Sequence, residues 1–311
     1  MTDLGPLRDA GPATTRDFLE STSAEDLVAA IRAATDDDLL GVVGREEVRS
    51  VVVEVILRRL HEYAVPSRVA ALCGVVRFDL TLDDVVAERR ALEFREGRIT
   101  LIDPETPADV VLTTGLVRFM RLVGGEHNAG LEYLAGTLAI HGDAALALGV
   151  GGIFTVPGTD QVAIDPTRLD PVDVATVLKG VSAEHLRTVM ASDFRPVVLG
   201  EIFRRLPDYL NGRKARGVDL TVGFRLLGNP SGAVERYVVR VRDGVATVAT
   251  GDAVQPDERD ATVTCEGHDY LRLATGHLSP VVGVLTGALK VKGDKAKALK
   301  LSSIIDFPTA R

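Results

Sequence analysis

The residues able to do chemistry are few and fall into no reactive pattern. The six histidines, His61, His127, His141, His185, His268 and His277, show no metal-ligand spacing such as His-Glu-x-x-His. His268-Asp269 and Glu126-His127 are neighbours in the chain, which does not make an acid–base pair. Cys73 and Cys265 give neither a disulfide framework nor zinc spacing and read as small buried hydrophobes. Gly149-Val150-Gly151-Gly152 follows a helical pattern rather than a strand, so it lacks the setting of a dinucleotide loop. No cofactor and no metal are implied. The strongest charged feature is Lys290, Lys292, Lys295, Lys297 and Lys300. Such a cluster suits docking to an anionic membrane surface or to the phosphates of an acyl-CoA. The plainer reading, a solvated face, is the favoured one.

The elements around those lysines are sharply punctuated. Asp260 to Cys265 has strand composition, and His268 to Ala274 reads as a short helix stopped at Gly276. Ser279 is placed to cap a second helix through its hydroxyl, with Pro280 at the first helical position. Val281, Val282, Val284 and Leu285 make that helix almost wholly apolar before Gly287 ends it. Leu289 and Val291 then alternate with Lys290 and Lys292, the period of a half-buried strand.

At 311 residues the length prior is two domains, and 46% hydrophobic with 26% charged content is enough to bury real cores. The uncharged run around Gly149 to Thr159 is too short and too rich in glycine to span a bilayer. A polar, Pro- and Gly-bearing stretch follows Met1, so no secretory leader is expected and a reduced cytoplasm is the simplest home. The net charge of −8 is uneven. Residues 1–157 hold 15 Lys+Arg and 25 Asp+Glu (15 − 25 = −10), and residues 158–311 hold 21 and 19 (+2). An acidic first part argues against nucleic-acid binding, and the second is not basic enough to argue for it.

Residues 1–15 read as a flexible tail, and a first domain is expected over 16–157. It opens with a helical pair at 23–43 and a long amphipathic helix over Glu46 to Tyr63. Strands, a hairpin turning at Glu96-Gly97 and short helices follow. The three prolines of Pro157 to Pro171 mark a linker at 158–170, and a second domain is expected over 171–311. The pattern then repeats. Arg58-Arg59-Leu60-x-x-Tyr63 returns as Arg204-Arg205-Leu206-x-x-Tyr209, 146 residues on. Asp109 matches Asp260 at an offset of 151, and that register runs without a gap to Leu148 and Leu299. Arg121, Leu134, Gly136, Leu138 and Asp143 all recur within it. The chain reads as a tandem duplication of one α+β unit.

Residues 196–305 resemble the sterol carrier protein family, type two. The resemblance rests on the helix PVVLGEIFRRLPDYL, the strand pair around RYVVRVRDGVATV and the run DATVTCEGHDYLRLATGHLSP to LTGALKVKGDKAKAL. The first repeat is a more diverged copy, with Asn128-Ala129 in place of the Ser-Pro cap and Ala139 and His141 in place of Lys290 and Lys292. The resemblance implies two tandem sterol-carrier-like α+β domains. Each would be a mixed five-stranded sheet with helices packed mainly on one face and an apolar tunnel between them. It also implies a sterol, acyl chain or other lipid in that tunnel. The helical pairs at 23–43 and 172–190 are extra to the minimal family domain.

On this reading the apolar helix faces are the candidate ligand site. In the second repeat they hold Tyr270, Leu271, Leu273, Val281, Val282, Val284 and Leu285, with Ile304, Ile305 and Phe307 set to close the tunnel mouth. Their first-repeat counterparts are Phe119, Met120, Leu122, Leu131, Tyr133 and Leu134. Each of these side chains is equally at home in an ordinary core. The favoured function is carriage of a hydrophobic small molecule, with transient membrane or partner-enzyme contact and no covalent chemistry. Three alternatives stay open: an enzyme acting in the same cavity, with Tyr133, Tyr270 and His277 to test; an accessory module presenting a hydrophobic substrate to a partner enzyme; and a structural pseudo-dimer with filled cores.

Overall fold

A computed structural model describes residues 4–155, 169–251 and 258–308. The chain divides into two compact units, Met1–Asp165 and Pro166–Arg311. Most of the linker expected at 158–170 lies outside the described residues. Its last two residues are placed: Leu169 is buried, and the Asp170 carboxylate caps the next helix through the N–H groups of Val172 and Asp173.

The first unit begins with three helices, α1 (Pro12–Ser21), α2 (Ala24–Ala33) and α3 (Asp36–Val43). Ser23 caps α2 by accepting the Asp26 N–H, and Thr35 with Asp38 forms a capping box on α3. The expectation of a flexible tail over 1–15 does not hold for residues 4–15. Leu4, Leu7 and Thr15 are buried, and both leucines join the core of this unit. Two leucines three apart bury enough apolar surface to offset ordering the chain there. The long helix α4 (Glu46–Arg59) follows, and its last turn tightens over Leu60–Tyr63. After α5 (Pro66–Val69) come β1 (Gly74–Leu82), β2 (Val85–Arg95), β3 (Arg98–Ile102) and β4 (Val110–Gly115). The unit closes with α6 (Leu116–Val123), α7 (Ala129–Ala135), β5 (Leu138–Gly142) and α8 (Ala144–Ile153).

The strands form one mixed sheet in the order β3-β2-β1-β4-β5, with β1 and β4 parallel and the other neighbours antiparallel. Alternation sets its faces: Val76, Phe78 and Leu80 enter the helix-covered core, while Arg77 and Asp79 pair on the other side at 2.8 Å. The turn between β1 and β2 places Asp83 and Asp84 at φ 51° and 61°. Two positive φ values in a row give the turn whose twist matches a hairpin, and aspartate tolerates them without glycine.

The second unit contains α9 (Pro171–Val177), α10 (Ala183–Met190), α11 (Arg195–Arg205), β6 (Asp219–Leu227), β7 (Glu235–Arg242), β8 (Val245–Thr250) and β9 (Ala261–Glu266). It ends with α12 (Gly267–Ala274), α13 (Pro280–Thr286), β10 (Lys290–Gly293) and α14 (Lys295–Ile304). Its sheet runs β10-β9-β6-β7-β8, again mixed, with β6 parallel to β9. The two sheets share one connectivity and one register. Phe78 pairs with Leu112 in the first, and Phe224 with Val263 in the second, positions that the sequence offsets of 146 and 151 make equivalent. The caps differ in detail. Ser279 stands at the N-cap of α13 with Pro280 next to it, but its side chain makes no cap hydrogen bond. Asn128, at the same place in the first unit, does cap: its Oδ1 accepts the N–H groups of Gly130 and Leu131.

Candidate functional site

Each unit holds an apolar cavity on the helix-covered side of its sheet. The first-unit cavity has a volume of about 200 Å³. Phe78 of β1, Leu112 of β4 and Leu138 and Ile140 of β5 form its floor. Val52, Val55 and Ile56 of α4, with Phe119, Met120, Leu122 and Val123 of α6, form two walls. A third wall comes from the N-terminal segment, through Leu4, Leu7, Leu19, Leu27, Val28, Ile31, Leu39, Val42 and Val43. The polar side chains among its lining residues are Arg59, Thr114 and Thr155. Two of these have occupied donors: Arg59 Nη1 gives hydrogen bonds to the carbonyls of Leu19 (2.6 Å) and Thr22 (2.9 Å), and Thr114 Oγ1 donates to the Thr137 carbonyl. A cavity so lined stays dry and accepts hydrocarbon.

The candidates of the first unit divide. Phe119, Met120 and Leu122 line the cavity, whereas Leu131, Tyr133 and Leu134 do not. All three of the latter lie on α7. Tyr133 and Leu134 are buried away from the cavity, and Leu131 is half-buried. The leucines and valines of residues 4–43 were missed, because the resemblance set that segment outside the minimal domain. The helical spacing of Leu27, Val28 and Ile31 was visible in the sequence, but nothing there told what their face would cover.

The second-unit cavity is smaller, about 100 Å³. Tyr270 and Leu273 of α12, Pro280 and Val284 of α13, Val263 of β9, Phe224 of β6 and Lys295, Ala298, Leu299 and Ser302 of α14 surround it. Ile305 and Phe307 line it as expected at the C-terminal end, but Ile304 turns into the core. Leu271 is likewise core. The expectation that Val281, Val282 and Leu285 line the tunnel does not hold: all three face solvent, Leu285 at 80% exposure. Phe224, Val263 and Leu206 were missed; the period-two alternation of β6 and β9 carries the signal for the first two.

Tyr270 ends an aromatic stack in which Phe203 lies between it and Tyr237. Its ring lies 4.9 Å from Phe203 and nearly parallel to it, and meets Phe224 edge-on at 5.3 Å. Burial pushes the Tyr270 phenol well above its ordinary pKa, with Cys265 and Tyr237 adding to the effect, so it stays protonated. Burial likewise pushes the Cys265 thiol up to about 12, which keeps it an unreactive thiol. His277 does not enter the cavity; its Nε2 lies 2.7 Å from the Ala175 carbonyl. His268 is held below its ordinary pKa by burial, despite Asp269 at 3.6 Å. His127 lies 2.9 Å from Glu132, while its sequence neighbour Glu126 pairs with Arg121. Among the described residues no group of three or more His, Cys, Asp or Glu side chains is placed to hold a metal ion. No helix among them is long and apolar enough to cross a membrane.

The five lysines do not act alike. Lys297 Nζ pairs with Asp260 Oδ1 at 2.6 Å. Lys295 stands at the cavity edge, and Lys290, Lys292 and Lys300 are exposed.

Residues 53–155 match the family model described as the SCP-2 sterol transfer family. The chain carries a sterol-transfer-family domain. Residues 197–311 match a different family model, the alkyl sulfatase C-terminal family. The sterol-carrier resemblance is expected to be closer in the second repeat, whereas the sterol-transfer model matches the first. Sterol carrier protein 2 of Gallus gallus is 28% identical over 127 residues, covering 40% of this chain and 22% of that protein. Hydroxysteroid dehydrogenase-like protein 2 of Xenopus tropicalis is 26% identical over 113 residues, covering 36% of this chain and 26% of that one. The sterol-transfer-family match thus spans about a quarter of the length of these curated relatives. Among solved structures, sterol carrier protein 2 like 2 of Aedes aegypti is similar at 23% identity and a TM-score of 0.29, over 36% of this chain and 95% of that one.

Proposed function

We propose that this chain is a tandem pair of sterol-carrier-like domains that binds and carries a hydrophobic small molecule in the cavities between sheet and helices. The observation that carries the reading is the first-unit cavity, about 200 Å³ with an apolar wall in which Arg59 and Thr114 are already hydrogen-bonded. Ligand pockets of typical proteins run to roughly 300–1,000 Å³, so a long acyl chain or a sterol requires its walls to move outward. Each methylene then buried contributes about 0.8 kcal/mol, less the ordering costs, so affinity follows chain length. Phe119, Met120 and Leu122, and in the second unit Tyr270, Leu273, Val284, Ile305 and Phe307, are the contacts assigned to the ligand. The matches to sterol-transfer and sterol carrier proteins support a lipid as cargo.

Native mass spectrometry of the purified full chain, with titration of a fluorescent fatty acid, tests the reading. Co-purified lipid or saturable uptake is the expected result; a protein that carries nothing and takes up nothing overturns it.

A second reading rests on the match of residues 197–311 to the alkyl sulfatase C-terminal model. In it the second unit presents a hydrophobic substrate to an enzyme partner. A stable enzyme co-purifying through residues 197–311 supports that reading over free carriage.

A further inference from the structure

The two cavities are built on matching positions but extend in different directions. Phe119, Leu138 and Ala147 line the first, and Tyr270, Leu289 and Ala298, each 151 residues on, line the second. The rest of the wall differs. The first cavity extends against residues 4–43. The second extends against Val284, Lys295 and Leu299, whose counterparts Tyr133, Ala144 and Leu148 take no part in lining the first. Lys295 and Leu299 line the second cavity and are also exposed, Leu299 at 42%, so the cavity meets solvent there.

That mouth carries a cation. Lys295, Ala298, Leu299, Ser302 and Ile305 recur at the spacing of one face of α14, and all five line the cavity. From Lys295 to Ile305 this stripe runs about 15 Å along the helix. Away from the mouth the lining residues Tyr270, Leu301 and Ile305 are buried. Lys295 has no ion-pair partner among the described residues. Lys297, in contrast, takes Asp260, and Asp294 Oδ1 accepts the N–H groups of Ala296 and Lys297. The first cavity offers no such group among its described lining residues. Its charged member, Arg59, is engaged by the carbonyls of Leu19 and Thr22 and by both carboxylate oxygens of Glu62. A cation at the water boundary of an apolar cavity can pair with a charged head without burying it, and so avoids the desolvation cost of a buried ion pair. We propose that the second unit takes a single-chain amphiphile with an anionic head, such as a carboxylate or a sulfate, seated at Lys295, with its tail among Tyr270, Leu301 and Ile305. This rests on the carrier reading and names the class of its cargo in the second unit.

The test is calorimetric titration of the full chain with decanoate, decyl sulfate and decanol, which share a tail length and differ in the head. Lys295→Met keeps an apolar stem and removes the charge. It should weaken both anions by about three- to fivefold at low salt, the scale of an exposed ion pair, and leave decanol unchanged. The difference between wild type and variant should shrink as salt rises. Lys295→Arg should bind all three as wild type does. Both variants should melt with the wild-type midpoint, because Lys295 is exposed. A loss confined to decanoate or to decyl sulfate supports the proposal and names that head. Equal losses for all three ligands overturn it, since Lys295 would then act through packing alone. Unchanged binding of both anions by folded Lys295→Met also overturns it, and leaves the carrier reading standing. If the wild type takes up none of the three, the carrier reading falls and this proposal falls with it.

Discussion

Asp260 is tied to Thr221 twice: its Oδ2 accepts the Thr221 N–H at 2.7 Å, and its own N–H donates to the Thr221 carbonyl at 2.9 Å. Asp109 makes the same two bonds to Val75 in the first unit, at 2.7 and 2.9 Å. In each unit this aspartate starts the strand that lies parallel to the central one, and its carbonyl also accepts the N–H of Asp143 or Asp294 at the far edge. One residue, through its carboxylate and its own backbone groups, thus ties three strands together.

Asp260→Ala should destabilise the second unit by about 1–2 kcal/mol near neutral pH, since it leaves the Thr221 N–H without its acceptor. Burial alone would raise the Asp260 pKa, but Lys297 and the Thr221 N–H outweigh it and hold the carboxyl below 3.8. A lowered folded-state value means that the contribution is complete above 3.8 and is lost as pH falls through the lowered value. Thermal melts of wild type and variant should therefore differ at pH 7 and converge in strong acid. A gap that persists in strong acid would show that the charge is not the cause.

Arg121 clamps the N-terminal helices onto α6. Its Nη1 donates to the Ile31 carbonyl and its Nη2 to the Ala34 carbonyl, while Asp36 and Glu126 flank the guanidinium. Arg121→Ala should cost about 1.5–3 kcal/mol, the range for hydrogen bonds to a charged group. Hydrogen exchange should accelerate over residues 24–43 and leave the second unit unchanged. Arg121→Lys should rescue little, because one ammonium cannot replace the planar fork.

Filling the larger cavity tests which unit takes up ligand. Val150 lines it, and Val150→Phe adds volume at a cost of roughly 1–3 kcal/mol in overpacking. Binding stoichiometry for a fluorescent fatty acid should fall by the share belonging to the first unit. Unchanged stoichiometry in the folded variant would assign uptake elsewhere.

Tyr270→Phe separates carriage from catalysis. The phenol is held protonated by burial, and the ring supplies the stacking with Phe203. Carriage predicts uptake and stability close to wild type. Loss of a turnover found in the wild type, with uptake retained, would instead give the hydroxyl a chemical role.

The likeness of the two sheets was legible because an internal repeat runs through both, while their strand order was not: the offset of 151 aligns Asp109 with Asp260 and Leu112 with Val263, and that of 146 aligns Phe78 with Phe224. Part of the cavity lining was legible: Phe119, Met120 and Leu122 in the first unit, and Tyr270, Leu273, Val284, Ile305 and Phe307 in the second. Helix α13 escaped, because four apolar residues in seven positions leave its rotation undetermined. That rotation is set by the missing side chain of Gly283 against Leu289, a contact between a turn and its return that no periodicity encodes. The apolar wall from residues 4–43 escaped for another reason. Helical spacing shows which side of a helix is buried, but not which partner covers it.

That wall has a consequence for any guest of the first unit. Leucines and valines of residues 4–43 already occupy one side of the cavity and are covalently attached to the sheet they cover. They act as a competitor held at an effective concentration in the millimolar range or above. A molecule that fits the existing space binds without displacing them; a longer one must first out-compete them. On the carrier reading proposed above, the N-terminal segment would grade cargo by size through competition, with no change in the chemistry of the wall.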